Sequence, residues 1–141
     1  MIPLRRAVKF EEVDAAGIVF FARFATYAHE AMENFFGQLE GGYVRLITER
    51  RLGFPAVKLE TDFMDPLRYG DVVRIETRVA RLGGRSAVFD YALYRESDDV
   101  LCARIAHTVV FSDLDAMKST DMPADVRAAF EAHLEPDANN A

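Results

Sequence analysis

The apolar residues of this chain keep two different periods, and the change between them limits the folds available. Phe24, Tyr27, Ala28, Ala31 and Phe35 recur at helical spacing, and Met32 and Phe36 widen the stripe. A stripe this broad predicts a helix buried on most of its sides. From Val57 the period falls to two. Val57, Leu59, Thr61 and Phe63 alternate with Lys58, Glu60 and Asp62; Val73, Ile75, Thr77 and Val79 alternate with Arg74, Glu76 and Arg78. Two more strand-like runs follow, Ser86 to Glu96 and Val100 to Phe111. One greasy helix and four long strands have few ways to bury their apolar faces, and the direct one is to wrap the sheet around the helix. The fold class expected is α+β, with the four strands in a hairpin-connected meander.

The remaining segments fill in around that plan. Leu4 to Phe10 reads as a strand and Glu11 to Gly17 as a turn. Gly37 is the expected helix stop, since glycine tolerates the left-handed geometry there. Gly41-Gly42 breaks the chain before a short helix carrying Tyr43, Leu46, Ile47 and Leu52. Pro66 and Gly70 punctuate the turn DPLRYGD, Gly83-Gly84 marks a hairpin, and Ser97-Asp98-Asp99 turns the chain again. A short terminal helix has Pro123 near its first turn and Val126, Phe130 and Leu134 on one side. Residues 1–135 are read as one domain and 136–141 as a disordered tail.

Composition removes several function classes. Half of the 141 residues are apolar, enough for a sizeable core and too many for a disordered chain. No apolar run is long enough to span a bilayer, and MIPLRRAVKF has no apolar region or cleavage site, so neither a membrane span nor a secretory leader is expected. The single cysteine, Cys102, has no internal disulfide partner, and no Cys/His cluster has metal-ligand spacing. A cytoplasmic, metal-free protein is the expectation. The formal net charge of −6 argues against nucleic acid as partner, so an anionic ligand must be met by local arginines.

The segment FEEVDAAGIVFFARFATYAHEAMENFF resembles the acyl-CoA thioesterases of the 4-hydroxybenzoyl-CoA thioesterase family. Members carry an Asp, two residues, a Gly, two aliphatics and an aromatic leading into a central helix. FMDPLRYGDVVRIET is similar to the family's second signature, an aromatic, then Pro, then Gly-Asp opening a strand. The resemblance covers roughly residues 5 to 112 and implies the hot-dog fold, an antiparallel sheet wrapped around a long helix. Many relatives read Asp-x-Asp where this chain reads Glu12-Val13-Asp14; the second acid, which the family uses in catalysis, is retained as Asp14. Glu12 is expected to be structural.

Thioester hydrolysis needs a nucleophile or base, and donors where charge builds on the carbonyl oxygen. Local sequence alone gives Asp14 the ordinary role of a turn acid near a helix start; the two signatures reverse that reading. A carboxylate with a reference pKa of ~3.9 is ionised at neutral pH. It serves either as nucleophile, through an anhydride, or as general base on water, and both routes stay open. Gly17-Ile18-Val19-Phe20-Phe21 leads into the helix start, where backbone N–H groups lack partners and the dipole is positive. The Phe21 N–H is the expected oxyanion donor, as the resemblance also implies, with Phe20 or Ala22 as candidates for a second.

Gly17 is a turn glycine that also lets a ligand approach the backbone. Phe20 and Phe24 are candidates for the wall of an aryl site, although aromatics such as these and Tyr27 more often serve the core. For coenzyme A, Arg85 matches a basic position at which relatives contact the nucleotide end; Arg68 and Arg81 stand behind it. His29, His107 and Cys102 are read as structural. No Gly-x-Ser-x-Gly elbow exists, which speaks against a serine hydrolase. The resemblance thus implies an acyl-CoA thioesterase, closer in its AGIV-aromatic run to the aryl-CoA members. Coenzyme A belongs to the substrate, and no cofactor is expected. An aliphatic acyl-CoA or acyl-carrier-protein thioesterase and a non-catalytic acyl-binding protein are the alternatives. A hot-dog dehydratase needs a His paired with an acid, which neither His29 nor His107 supplies. A homodimer or homotetramer is expected, because edge strands need covering and family sites lie between subunits.

Overall fold

The structure, a computed structural model, describes residues 1–136; of the expected disordered tail, all but Pro136 lies outside the described residues. In chain order the elements are β1 (Ile2–Ala7), α1 (Arg23–Phe35), α2 (Gly42–Thr48), β2 (Leu52–Gly53), β3 (Ala56–Phe63), β4 (Val72–Leu82), β5 (Ser86–Arg95), β6 (Val100–Val110), β7 (Ser112–Asp113), β8 (Lys118–Ser119) and α3 (Ala124–Glu131). Five strands form an antiparallel sheet in the order β1-β4-β5-β6-β3, and β2-β7-β8 form a small second one. The α+β class is as expected.

The meander is only partly present. β4, β5 and β6 are joined by hairpins, but β3 pairs with β6 rather than β4. The reason lies in β1, whose Ile2–Ala7 pair with Val72–Thr77 and fill the edge of β4 that β3 was expected to occupy. β3 takes the remaining edge, so the segment from Met64 to Asp71 must carry the chain back across three inter-strand spacings, about 14 Å.

The sheet's inner face is the apolar half of the alternation. Val73, Ile75 and Val79 of β4, Phe89, Tyr91 and Leu93 of β5, and Ala103, Ile105 and Val109 of β6 are buried. Against them α1 lays Phe24, Tyr27, Ala28, Ala31, Met32 and Phe35. Each large side chain buried there contributes roughly 1.5–3 kcal/mol. Contrary to the expectation from the stripe, the helix is not buried on most sides. Ala25, Thr26, His29, Glu33 and Asn34 are exposed in the single chain, because the sheet covers one face and nothing among the described residues covers the other.

Boundaries also moved. β1 ends at Ala7, and the chain turns at Phe10–Glu12, because the Glu12 carboxylate takes the Lys9 N–H at 2.8 Å. Gly37 is not the left-handed stop: α1 tightens into a 3-10 turn over Phe36–Gln38. Between α1 and α2 the left-handed backbone falls instead at Gly41 (φ 77°) and Gly42 (φ 63°), and a Cβ at Gly41 would stand 2.5 Å from the Arg45 side chain. Leu52 lies in β2 rather than in the short helix. Leu134 lies beyond α3, where the chain runs beside β4: the Val79 N–H donates to the His133 carbonyl and the Glu135 N–H to that of Val79.

Candidate active site

The turn after β1 is built from Glu12 outward. Its carboxylate is buried and receives both terminal nitrogens of Arg6, at 2.6 and 2.8 Å, the Lys9 N–H and the Tyr27 hydroxyl at 2.9 Å. Arg6 also donates to Glu30 at 2.7 Å and lies over the Tyr27 ring. Burial pushes the Glu12 pKa up, but the bonds from Arg6, Lys9 and Tyr27 outweigh it and hold the group at about 2, against an ordinary 4.5. Stability from this lowered value is present above about pH 4.5 and is lost as the pH falls toward about 2. Urea midpoints should therefore fall more steeply between pH 5 and pH 3 in the wild type than in Glu12→Gln. Equal slopes would show that Glu12 does not carry that acid sensitivity.

Two residues on, Asp14 closes the turn predicted for it. Its carbonyl accepts the Gly17 N–H at 2.9 Å, its own N–H reaches the Ile18 carbonyl at 2.8 Å, and Oδ1 accepts the Ala16 N–H at 2.8 Å. Gly17 has φ 79°, which makes it the residue that permits this reversal. The turn-acid role is thus real, yet it uses one carboxylate oxygen. Oδ2 has no hydrogen-bond partner among the described residues.

The chain then enters α1. Val19 N–H donates to the Leu67 carbonyl and Phe20 N–H to the Glu12 carbonyl, at 2.8 and 2.9 Å. Arg23 and Phe24 N–H groups turn back to Phe20 and Phe21. Phe20 is therefore spent as a donor, while the N–H groups of Phe21 and Ala22 meet no acceptor among the described residues. The helix start also has no side-chain cap.

Asp14, Ile18, Phe20, Phe21 and Phe24 line a cleft of about 500 Å³. The rest of its lining comes from the end of β3 and the crossover behind it: Phe63, Met64, Asp65, Pro66 and Leu67. Phe24 and Phe63 meet edge to face at 5.0 Å, joining the two sets. Arg95 pins the crossover, donating to Asp65 Oδ1 and the Pro66 carbonyl at 2.8 Å each, while the Met64 and Asp65 N–H groups both reach the Cys102 carbonyl.

The other residues singled out from sequence fall into two groups. Arg68 bridges Ile18 and is exposed beside the Asp14 turn, its guanidinium without an ion pair among the described residues. Arg85 is elsewhere. It sits at the β4–β5 hairpin, donating to Asp121 at 2.9 Å, and β4 separates that hairpin from the crossover by about 30 Å. Arg81 lies at the same far end. Neither joins the cleft of its own chain.

His29 is exposed, 3.7 Å from Glu33; His107 is buried against Tyr91, whose hydroxyl is 3.0 Å from Nδ1. Neither lines the cleft, so no His–acid pair stands where a dehydratase would need one. Burial pushes the Cys102 thiol up, away from a reactive thiolate. Sequence reading missed Arg95, which no local pattern marks, and the wall from Phe63 to Pro66. Glu12 has the structural place expected of it, buried among Arg6, Lys9 and Tyr27.

With this geometry in place, comparison with known proteins finds the thioesterase-like superfamily profile over residues 8–130. The chain belongs to that superfamily. By class it is a thioester hydrolase, with the hot-dog fold that its two signatures implied. The chain is 28% identical over 127 residues to the acyl-CoA thioesterase YbgC of Haemophilus influenzae, covering 90% of this chain and 91% of the relative. It is 34% identical over 109 residues to the 1,4-dihydroxy-2-naphthoyl-CoA hydrolase of Thermosynechococcus vestitus, covering 74% and 75%. Among solved structures, a gentisyl-coenzyme A thioesterase superposes with TM-score 0.81 at 27% identity, covering 92% of this chain and 99% of the other.

Proposed function

We propose that this hydrolase cleaves aromatic acyl-CoA thioesters to the free acid and CoA, with Asp14 as the reacting carboxylate and the Phe21 N–H as oxyanion donor. One observation carries the proposal. Asp14, with a carboxylate oxygen that has no partner among the described residues, and Phe21, with a backbone N–H likewise unpartnered, line one cleft whose other members are mostly apolar. The thioester carbonyl oxygen docks on the N–H, which strengthens its hold as that oxygen becomes negative. Asp14 either attacks the carbonyl carbon, giving an anhydride that water opens, or removes a proton from an attacking water. In both routes the carbon–sulfur bond breaks and the CoA thiolate leaves. The reaction so written needs no resident cofactor.

The aryl preference rests on four rings, Phe20, Phe21, Phe24 and Phe63, around the cleft, and on the aryl-CoA substrates named for two of the similar proteins. Aromatic pairs add about 0.5–1.5 kcal/mol beyond their buried area. Thiol release from gentisyl-, 1,4-dihydroxy-2-naphthoyl-, benzoyl-, hexanoyl- and acetyl-CoA tests it. The aryl thioesters should exceed the aliphatic ones in kcat/KM by at least about tenfold, the value of one good apolar contact. A flat profile removes the aryl preference, and no thiol from any substrate removes the enzymatic reading. A cytoplasmic setting and a dimer or tetramer complete the proposal. β3 supports the assembly: Val57, Leu59 and Phe63 are 62, 46 and 55% exposed along an open sheet edge. Arg85 then meets a bound CoA only from a second copy.

A further inference from the structure

We infer that Glu12 is a positioning residue for this chemistry, setting the separation between Asp14 and the Phe21 N–H; the inference rests on the reading just proposed. Glu12 does not line the cleft, yet it is tied to the backbone beside each member of the pair. Along the chain it stands two residues before Asp14, through the extended Val13 (φ −99°, ψ 152°). Through space its carbonyl takes the Phe20 N–H, so the next N–H along the chain, that of Phe21, is the first one left for a ligand. Its carboxylate is fixed to β1 by Arg6 and to α1 by Tyr27, while Arg6 is fixed again to α1 by Glu30. The strand, the turn and the helix start therefore share one anchor. A shift of that anchor moves the acid and the donor relative to each other, and a misplacement of about 1 Å costs roughly a hundredfold in rate.

A purely structural role would be satisfied by any filling of the same space, because a buried ion pair is often replaceable by apolar groups without loss of stability. The two roles separate in kinetics measured at 25 °C, well below the melting temperature of each variant. Tyr27→Phe removes a single bond to Glu12 and should lower kcat several-fold with KM unchanged. Glu12→Gln sets an amide against the Arg6 and Lys9 donors and should lower kcat about 10- to 100-fold, again with little change in KM. The triple variant R6M/E12L/Y27F removes the polar cluster altogether. Its kcat should stay at least about tenfold down even where its melting temperature returns to the wild-type value. Recovery of kcat together with melting temperature in the triple variant overturns the inference, as does an unchanged kcat in both Glu12→Gln and Tyr27→Phe. An active wild type with such results leaves the thioesterase reading intact. A wild type inactive on every thioester removes both.

Discussion

Asp14→Asn should lower kcat by roughly a hundred- to ten-thousand-fold, the usual range for loss of a positioned base. Its unfolding free energy should stay within about 0.5 kcal/mol of the wild type. The substitution isolates chemistry from architecture. Asp14 holds its turn with Oδ1, which accepts the Ala16 N–H, and with its backbone, which bonds Gly17 and Ile18. An asparagine carbonyl oxygen accepts the same N–H, and Asn forms such turns as readily as Asp. What it lacks is the second ionised oxygen. A residue whose only task was to close a turn would tolerate the change in both assays. Steady-state kinetics beside a thermal melt therefore decides between the two readings, and full activity in the variant would remove Asp14 from the mechanism. Asp14→Ala is the poorer experiment, because it takes away the turn bond as well.

Phe35→Ala should cost about 3–5 kcal/mol in urea unfolding and lower the melting temperature by roughly 10–15 °C. Phe35 is fully buried and lies where three elements meet. Its ring is 5.3 Å from Phe36, 5.1 Å from Phe89 of β5, 5.3 Å from Phe130 of α3 and 5.8 Å from His133. Aromatic neighbours on several sides cannot collapse together into the space of one ring, so most of the cavity persists. A loss under about 1 kcal/mol would mean that α1 is held to the sheet by other contacts.

Local pattern revealed which segments are helix and which are strand, because burial on one face writes its period into residues such as those of β4 and α1, and β3 keeps the same alternation although neither of its faces is buried within this chain. It did not reveal pairing. Val57, Leu59, Thr61 and Phe63 alternate in the same way whether β3 lies beside β4 or beside β6, and the choice was made by β1, far away in sequence. The Asp14 turn and the helix start were readable, since Asp, Gly and an aromatic at fixed spacing constrain a short stretch of backbone. The partner of Glu12 was not, because Arg6 meets it across a strand-to-turn corner. Arg85, matched by its position in a motif, lies a strand's length from the cleft of its own chain, a separation that local sequence does not carry.

The crossover behind β3 divides labour in a way that bears on how such an enzyme changes. The proposed reacting groups sit on the turn and the start of α1, while Phe63 to Leu67 opposite leave β3 and are moored to β6 by the Cys102 carbonyl and held by Arg95. Met64, half exposed in that segment, is open to replacement by larger or smaller side chains with no strand register disturbed. A lineage built this way can retune what it admits while leaving the Asp14 turn untouched.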